Sequence, residues 1–262
     1  MTGDASPRPL PTAVVATARS LGIDALTAEV LRAFRAAGCR AILLKGPVFR
    51  RHLYADRAPR GYGDVDLLVA PADLARSGAA LASLGLEIGL DHVDHPGLVE
   101  PHAQEWGRPG GPRVVDLHWR IAGVEAPPQA AWEILSARTE PMLVGGEPAE
   151  ALRAEGVALL VAVHASGHGR THDRSMQDLE RAVERLGVDT WASAARLAAE
   201  LEATEAFAAG LRLVPAGERL ASELGLPEVR SPQRVLLAAG QPAGSLGLLK
   251  LVEPAPVRER LR

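Results

Sequence analysis

Residues 64–69 have the sequence DVDLLV, and this stretch decides the fold that we expect for the chain. Acidic and apolar residues alternate and then give way to a wholly apolar run, which is typical of a strand entering a core. Residues two apart on a strand project to the same face, so Asp64 and Asp66 would lie side by side. Adjacent carboxylates repel each other, and a divalent cation such as Mg²⁺ offsets that repulsion. Two solvated acids at a strand edge are the alternative.

A third acid lies inside a later apolar run, VVDL at residues 114–117. Asp116 would destabilise a buried strand if it had no partner. If this strand neighbours the first, three carboxylates can hold two metal ions for phosphoryl transfer. Alternatively, Asp116 forms a hydrogen bond to His118, Arg120 or a backbone amide. His118 lies on the same face and could orient the metal ligands or simply pack.

A glycine turn precedes the acidic strand. The apolar run RAILL (residues 40–44) predicts a buried strand, and Lys45-Gly46-Pro47 ends it where a helix can begin. Backbone N–H groups at a helix N-terminus bind phosphate, and a glycine allows close approach. Gly46 is therefore a candidate phosphate contact with Lys45 beside it, although an ordinary turn glycine would give the same pattern.

Composition sets the broad class. The 262 residues are 47% hydrophobic and 23% charged, with a formal net charge of -3 and a single cysteine, Cys39. These values are ordinary for a globular protein and argue against a long nucleic acid as partner. No apolar run approaches the roughly 20 residues of a membrane helix. We therefore expect no membrane segment. A single cysteine cannot form an intramolecular disulfide, which suits the reducing cytoplasm, so we expect a cytoplasmic protein.

The secondary-structure signals change along the chain. Strand signals, including a hairpin at residues 102–119, concentrate before residue 127, and alanine- and leucine-rich helical spacing dominates afterwards. We predict an α+β fold in which a mixed-sheet domain is followed by an all-helical domain. The expected boundaries are a flexible tail at 1–12, the sheet domain at 13–127 and the helical domain at 128–262, with strands nearly absent from the last.

Three histidines recur every fourth residue. A continuous helix would align His164, His168 and His172 on one side as a possible zinc set. Gly167 and Gly169 weaken a helix there. Alternatively, His164 faces the active-site cleft or packs in the core.

The order of these motifs resembles the DNA polymerase beta-like nucleotidyltransferase superfamily, which has a glycine turn, an acid-x-acid strand and a third acid on a later strand. The segments LLKGPVFRRHLY (residues 43–54), RGYGDVDLLV (60–69) and VVDLHWR (114–120) are similar to a group of uncharacterised nucleotidyltransferases in that superfamily. Similarity over the helical region is weaker, where His164 and Asp178 match a histidine and an aspartate of the group. The resemblance implies a nucleotidyltransferase-like first domain.

The resemblance also implies roles for individual residues. Asp64 and Asp66 would ligate both metal ions, and Asp116 would ligate the catalytic metal and help to deprotonate the attacking hydroxyl. Apart from the resemblance, His118 and His164 are candidates for side chains that support these ligands from behind.

The resemblance places the triphosphate at the glycine turn. Gly46 would hold it with Lys45 alongside, and Arg60 resembles an arginine upstream of the acidic pair that contacts phosphate. Pro47 departs from the superfamily, which usually has a serine after the glycine.

The expected activity is transfer of a nucleoside monophosphate from a nucleoside triphosphate, such as ATP, to an acceptor hydroxyl with release of pyrophosphate. Mg²⁺ or Mn²⁺ would be the cofactor, and the acceptor would be a small molecule, a peptide or protein, or an RNA. Two other functions stay open at this point. One is a non-catalytic nucleotide-binding module of the same fold, and the other is a metal-dependent hydrolase that uses the histidine cluster.

Overall fold

The computed structural model describes residues 12–55, 60–89, 102–231, 234–235 and 238–240. Within them a mixed sheet consists of β1 (Ala41–Leu43), β2 (Val65–Val69), β3 (Glu87–Ile88), β4 (Ala103–Gly107), β5 (Arg113–His118), β6 (Thr139–Val144) and β7 (Glu147–Leu152). The seven strands are hydrogen-bonded in the order β3-β4-β5-β2-β1-β7-β6.

The helices of the described residues lie before, between and after the strands. They are α1 (Thr12–Ala36), α2 (Pro47–Leu53), α3 (Leu74–Ser83), α4 (Pro128–Ser136), α5 (Ala154–His168), α6 (Asp173–Arg185), α7 (Val188–Glu200), α8 (Thr204–Leu211) and α9 (Pro215–Glu223), with a short 3₁₀ helix at Pro71–Asp73. The helical C-terminal region that the sequence predicts is confirmed from α5 onward.

The acidic stretch lies at the centre of the sheet. β2 pairs antiparallel with β1 and parallel with β5, and every one of its five residues is buried. A strand between two neighbours, with helices packed on the sheet, has no solvent-facing side, which explains its near-continuous apolar sequence. Asp66 is the exception within β2 and is only 2% exposed. The predicted strands around residues 40–44, 64–69 and 114–117 are confirmed.

Strands continue beyond residue 127, where the sequence predicted almost none. β6 and β7 form a hairpin, and β7 pairs parallel with β1 through Ile42 and Glu150. Gly145 and Gly146 form its two-residue turn with φ of 56° and 80°, which matches the turn type that hairpins favour. The predicted near-absence of strands is therefore wrong for residues 139–152. The division into a tail and two domains stays a prediction, and residues 1–11 lie outside the described ranges.

The helical region is organised around α5. This helix is buried over most of its length, and α8 packs closely against it. At their crossing, a Cβ on Gly210 would lie 1.8 Å from the carbonyl oxygen of Ala162, so only glycine permits this approach. Among the described helices, none combines the length and the apolar character needed to span a membrane.

Candidate metal and nucleotide site

Two neighbouring strands bring a pair of acids together. The parallel pairing of β2 with β5 places Asp66 directly opposite Asp116, and His118 follows two residues later on β5. Residues in register, or two apart, project to the same face of a sheet. One ligand atom from each of these three side chains lies within 4.8 Å of the other two. Within the described residues, this is the group of acidic, histidine or cysteine side chains that has the spacing of a metal site.

Asp66 is ionised despite its burial. Its Oδ1 atom accepts a hydrogen bond from Lys45 Nζ at 2.6 Å and lies 3.3 Å from His118 Nε2. Burial alone would raise the pKa of this carboxyl, but the positive charge of Lys45 and the contact with His118 outweigh burial and hold the pKa well below its usual range. Both contacts are to Oδ1.

The pKa of Asp116 is shifted in the opposite direction from that of Asp66. The partly buried carboxylate has no salt bridge within the described part of the chain. Burial, followed by the negative charge of Asp66, raises its pKa to about 6. A second negative charge at this place is therefore unfavourable in the protein alone. A cation between the two carboxylates would remove that penalty, which is the electrostatic condition for a metal site.

Asp64 lies one residue before β2 and has an exposed side chain. Its negative charge is close enough to contribute to the raised pKa of Asp116. It does not belong to the group within 4.8 Å. The structure thus brings Asp66, Asp116 and His118 together and leaves Asp64 nearby, facing solvent. Its role as a metal ligand stays a prediction.

The glycine turn has a conformation that requires glycine. Gly46 precedes α2 with φ of 53° and ψ of -109°, and a Cβ there would lie 3.3 Å from Cδ2 of Tyr62. The hydroxyl of Tyr62 is in turn hydrogen-bonded to Asp24 of α1, which fixes the ring beneath the turn. The backbone N–H of Leu44 donates to the carbonyl of Asp66 at 3.0 Å, which ties the turn to β2. Phosphate binding by Lys45 and Gly46 stays a prediction.

Arg60 is bound to the helical region. Its Nη2 atom lies 2.6 Å from Oδ2 of Asp178 on α6, and the hydroxyl of Tyr54 donates to Oδ1 of the same carboxylate at 2.8 Å. Asp178 is 3% exposed, and the guanidinium of Arg60 lies over the ring of Phe49 at 5.6 Å. The sequence analysis singled out both charged residues but did not predict their pairing, because a separation of 118 residues carries no local signal. Phosphate contact by Arg60 stays a prediction.

The three histidines cluster without a continuous helix. α5 ends at His168, where Gly169 turns the chain with φ of 71°, and His172 caps α6 by accepting from the backbone N–H of Ser175 at 3.2 Å. The rings still meet, with centroids 4.4 Å apart for His164 and His168 and 4.6 Å apart for His168 and His172. Within the described residues, their nitrogens do not form a set within 4.8 Å.

His164 lies on the side of the cluster nearest to the metal-ligand candidates. Burial, followed by the positive charge of Lys45, lowers its pKa well below the usual value for histidine. The imidazole is therefore neutral near neutral pH. This placement agrees with a histidine that faces the cleft, and its role there stays a prediction.

Comparison with models of protein families identifies the class. The sequence model of a family described as "Uncharacterised nucleotidyltransferase" matches residues 11–216. No curated protein sequence matches the chain.

The chain is also similar to solved structures, including the following three. The crystal structure of ANT(2")-Ia in complex with adenylyl-2"-tobramycin has 15% identity and a TM-score of 0.47, covering 67% of this chain and 97% of that one. The solution structure of the antibiotic-resistance factor ANT(2'')-Ia has 16% identity and a TM-score of 0.48, covering 72% and 95%. An antigenic nucleotidyltransferase-like protein from Paracoccidioides brasiliensis has 15% identity and a TM-score of 0.38, covering 75% and 95%. Because the family match extends over most of the chain, from α1 through the glycine turn and all three acids to α9, the protein belongs to this family of uncharacterised nucleotidyltransferases.

Proposed function

We propose that the protein transfers a nucleoside monophosphate from a nucleoside triphosphate to an acceptor hydroxyl and releases pyrophosphate. The observation that carries the proposal is the facing pair Asp66 and Asp116, whose negative charge the chain itself only partly compensates. Lys45 and the glycine turn lie beside this pair, where the triphosphate would enter.

The donor atoms of the cluster fit a hard divalent cation. Carboxylate oxygens are the ligands that Mg²⁺ prefers, and Mn²⁺ accepts the same ligands. Asp66 and Asp116 would hold the metal with Asp64, and His118 would orient Asp66 through its contact with Oδ1. When bound, two such ions would neutralise charge on the triphosphate and on the departing pyrophosphate.

The chain's own groups account for the rest of the reaction. The acceptor oxygen forms a bond to the α-phosphorus, and the bond from that phosphorus to the oxygen bridging to the β-phosphate breaks. Asp116, with a pKa of about 6, is ionised above neutral pH and can accept the proton of the attacking hydroxyl. Lys45 keeps Asp66 ionised and adds a positive charge beside the phosphates. The acceptor would be a small molecule, a peptide or protein, or an RNA.

The test combines binding with turnover. The melting temperature of the protein is measured with each of the nucleoside triphosphates, with and without Mg²⁺, because a ligand of the native state raises it by mass action. The triphosphate that gives a Mg²⁺-dependent rise is then used in a pyrophosphate-release assay against panels of aminoglycosides and other small molecules, peptides and RNAs.

The variants Asp64→Asn and Asp116→Asn are each expected to lose transfer activity while remaining folded. Asp189→Asn, at an exposed acid on α7, is the matched control and retains activity. Full activity in Asp116→Asn would contradict the proposed mechanism. Mg²⁺-dependent nucleotide binding without transfer to any acceptor in the panel would favour the non-catalytic binding module instead.

A further inference from the structure

The loop that leads into β2 contacts two helices that are far apart in the sequence, α1 and α6. Its residue Gly61 packs against α1, where an added Cβ would lie 3.2 Å from Cβ of Ala16. On the other side, Arg174 of α6 donates a hydrogen bond to the carbonyl oxygen of Gly61. From α1, the guanidinium of Arg19 lies directly on Gly63, where an added Cβ would be 2.5 Å from Cζ. Two arginines far apart in sequence therefore converge on the loop just before Asp64.

These two arginines differ from the other cations near the candidate metal ligands Asp66 and Asp116. Lys45 is paired with Asp66 at 2.6 Å, and Arg60 is paired with Asp178 at the same distance. Arg19 and Arg174 are exposed, and within the described ranges neither forms a salt bridge with a carboxylate. The fold therefore places two guanidinium groups beside the proposed metal ligands, and neither has a direct salt bridge within the described residues.

Neighbouring positive charges make this arrangement unfavourable without a ligand. Burial, followed by the positive charge of Arg60, lowers the pKa of Arg174, and Arg19 contributes in the same direction. The nearby carboxylates of Asp64 and Asp178 oppose this effect. Like charges that a fold gathers in one place are stabilised by an anion, and planar guanidinium groups bind phosphate oxygens in pairs.

We infer that Arg19 and Arg174 bind the β- and γ-phosphates of the nucleoside triphosphate, and hold the pyrophosphate as it leaves. The inference rests on the proposed function, and it assigns the terminal phosphates to a place that the glycine turn does not cover. Asp64 follows Gly63 directly, and its charge acts both on Arg174 and on Asp116.

The test compares ligands that differ only in their terminal phosphates. Dissociation constants for the mono- and triphosphate of one nucleoside, and for inorganic tripolyphosphate, are measured by calorimetry with Mg²⁺ for the full chain. The variants are Arg19→Gln, Arg174→Gln and the control Arg196→Gln, an exposed arginine of α7 that bonds to Ser193. Each of the first two is expected to weaken triphosphate and tripolyphosphate binding by about tenfold, which corresponds to about 1.4 kcal/mol.

The monophosphate separates a phosphate contact from a structural effect. Its affinity should stay unchanged in both variants, and Arg19→Lys and Arg174→Lys should recover only part of the triphosphate affinity, because they keep the charge but lose the planar guanidinium group. Equal weakening of the mono- and triphosphate would assign the arginines a structural role in the loop and overturn the inference. If the variants bound both ligands as tightly as the wild type, the inference would also be wrong. Triphosphate binding by the wild type would still support the proposed function. If the wild-type protein bound no triphosphate, both would be wrong.

Discussion

Replacing Asp116 with asparagine should stabilise the metal-free protein above neutral pH. The pKa of Asp116 is about 6 in the folded protein, compared with 3.8 for an ordinary carboxyl. A carboxyl with a raised pKa contributes stability below its unfolded pKa and loses that contribution as the pH rises through its folded pKa. At about 1.36 kcal/mol per pH unit, the ionised group destabilises the fold by up to about 3 kcal/mol. The carboxyl is partly exposed, so solvent screening makes this an upper value.

The assay is urea denaturation in the presence of a chelator, with wild type and Asp116→Asn compared at a series of pH values. We expect nearly equal free energies of unfolding at about pH 4 and a growing advantage for the variant up to about pH 7, where it levels off. Asp189→Asn should show no such trend. Saturating Mg²⁺ should stabilise the wild type and not the variant. A wild-type protein that is the more stable of the two at about pH 8 without metal would refute the electrostatic argument.

Other substitutions follow from single contacts. Asp66→Asn should destabilise the protein by about 3 kcal/mol at neutral pH because it breaks a buried ion pair. Since the pKa of Asp66 is lowered, this difference should shrink as the pH falls below the ordinary carboxyl value, and a loss that is constant down to acid pH would contradict it. Gly46→Ala should cost about 2 kcal/mol in urea denaturation because of its positive φ and the ring of Tyr62; an unchanged midpoint would show that the turn can relax. Asp178→Ala should lower stability by about 3 kcal/mol because it leaves the cation of Arg60 unpaired, and removing Arg60 as well should restore part of the loss in a double-mutant cycle.

The central strands were predictable because burial on both faces leaves a simple mark in the sequence. DVDLLV and VVDL are apolar runs interrupted only by acids, and they form β2 and β5. The hairpin of β6 and β7 was not predictable in the same way. Its strands contain Pro141 and Pro148 and bury only four side chains, so that no apolar alternation stands out: Val144, Ala149, Ala151 and Leu152. Its place in the sheet depends on pairing with β1, which is a tertiary interaction.

The candidate site was also predictable only in part, because some of its residues come together through tertiary pairing. Acids at i and i+2 suggested a pair within one strand, yet the closest acidic pair, Asp66 and Asp116, comes from the register of two parallel strands. The ion pair of Arg60 with Asp178 was also not predictable from the sequence, because its two residues belong to separate parts of the chain. The sequence left open whether the histidines align on one continuous helix, because Gly167 and Gly169 weaken a helix there. A break at Gly169 separates α5 from α6, and the rings are brought together across it.

The parallel pairings of β1 and β2 have a consequence for synthesis of the chain. Both strands are wholly buried in the finished sheet. β2 can pair with β5, and β1 with β7, only after the residues of β5 and β7 have been synthesised, much later in the sequence. Until Leu152 has left the ribosome, at least one edge of these apolar strands has no partner, and open apolar edges recruit other chains. Such non-local closure also slows folding. Fragments that end between Asp116 and Leu152 contain all three acids and are still expected to aggregate.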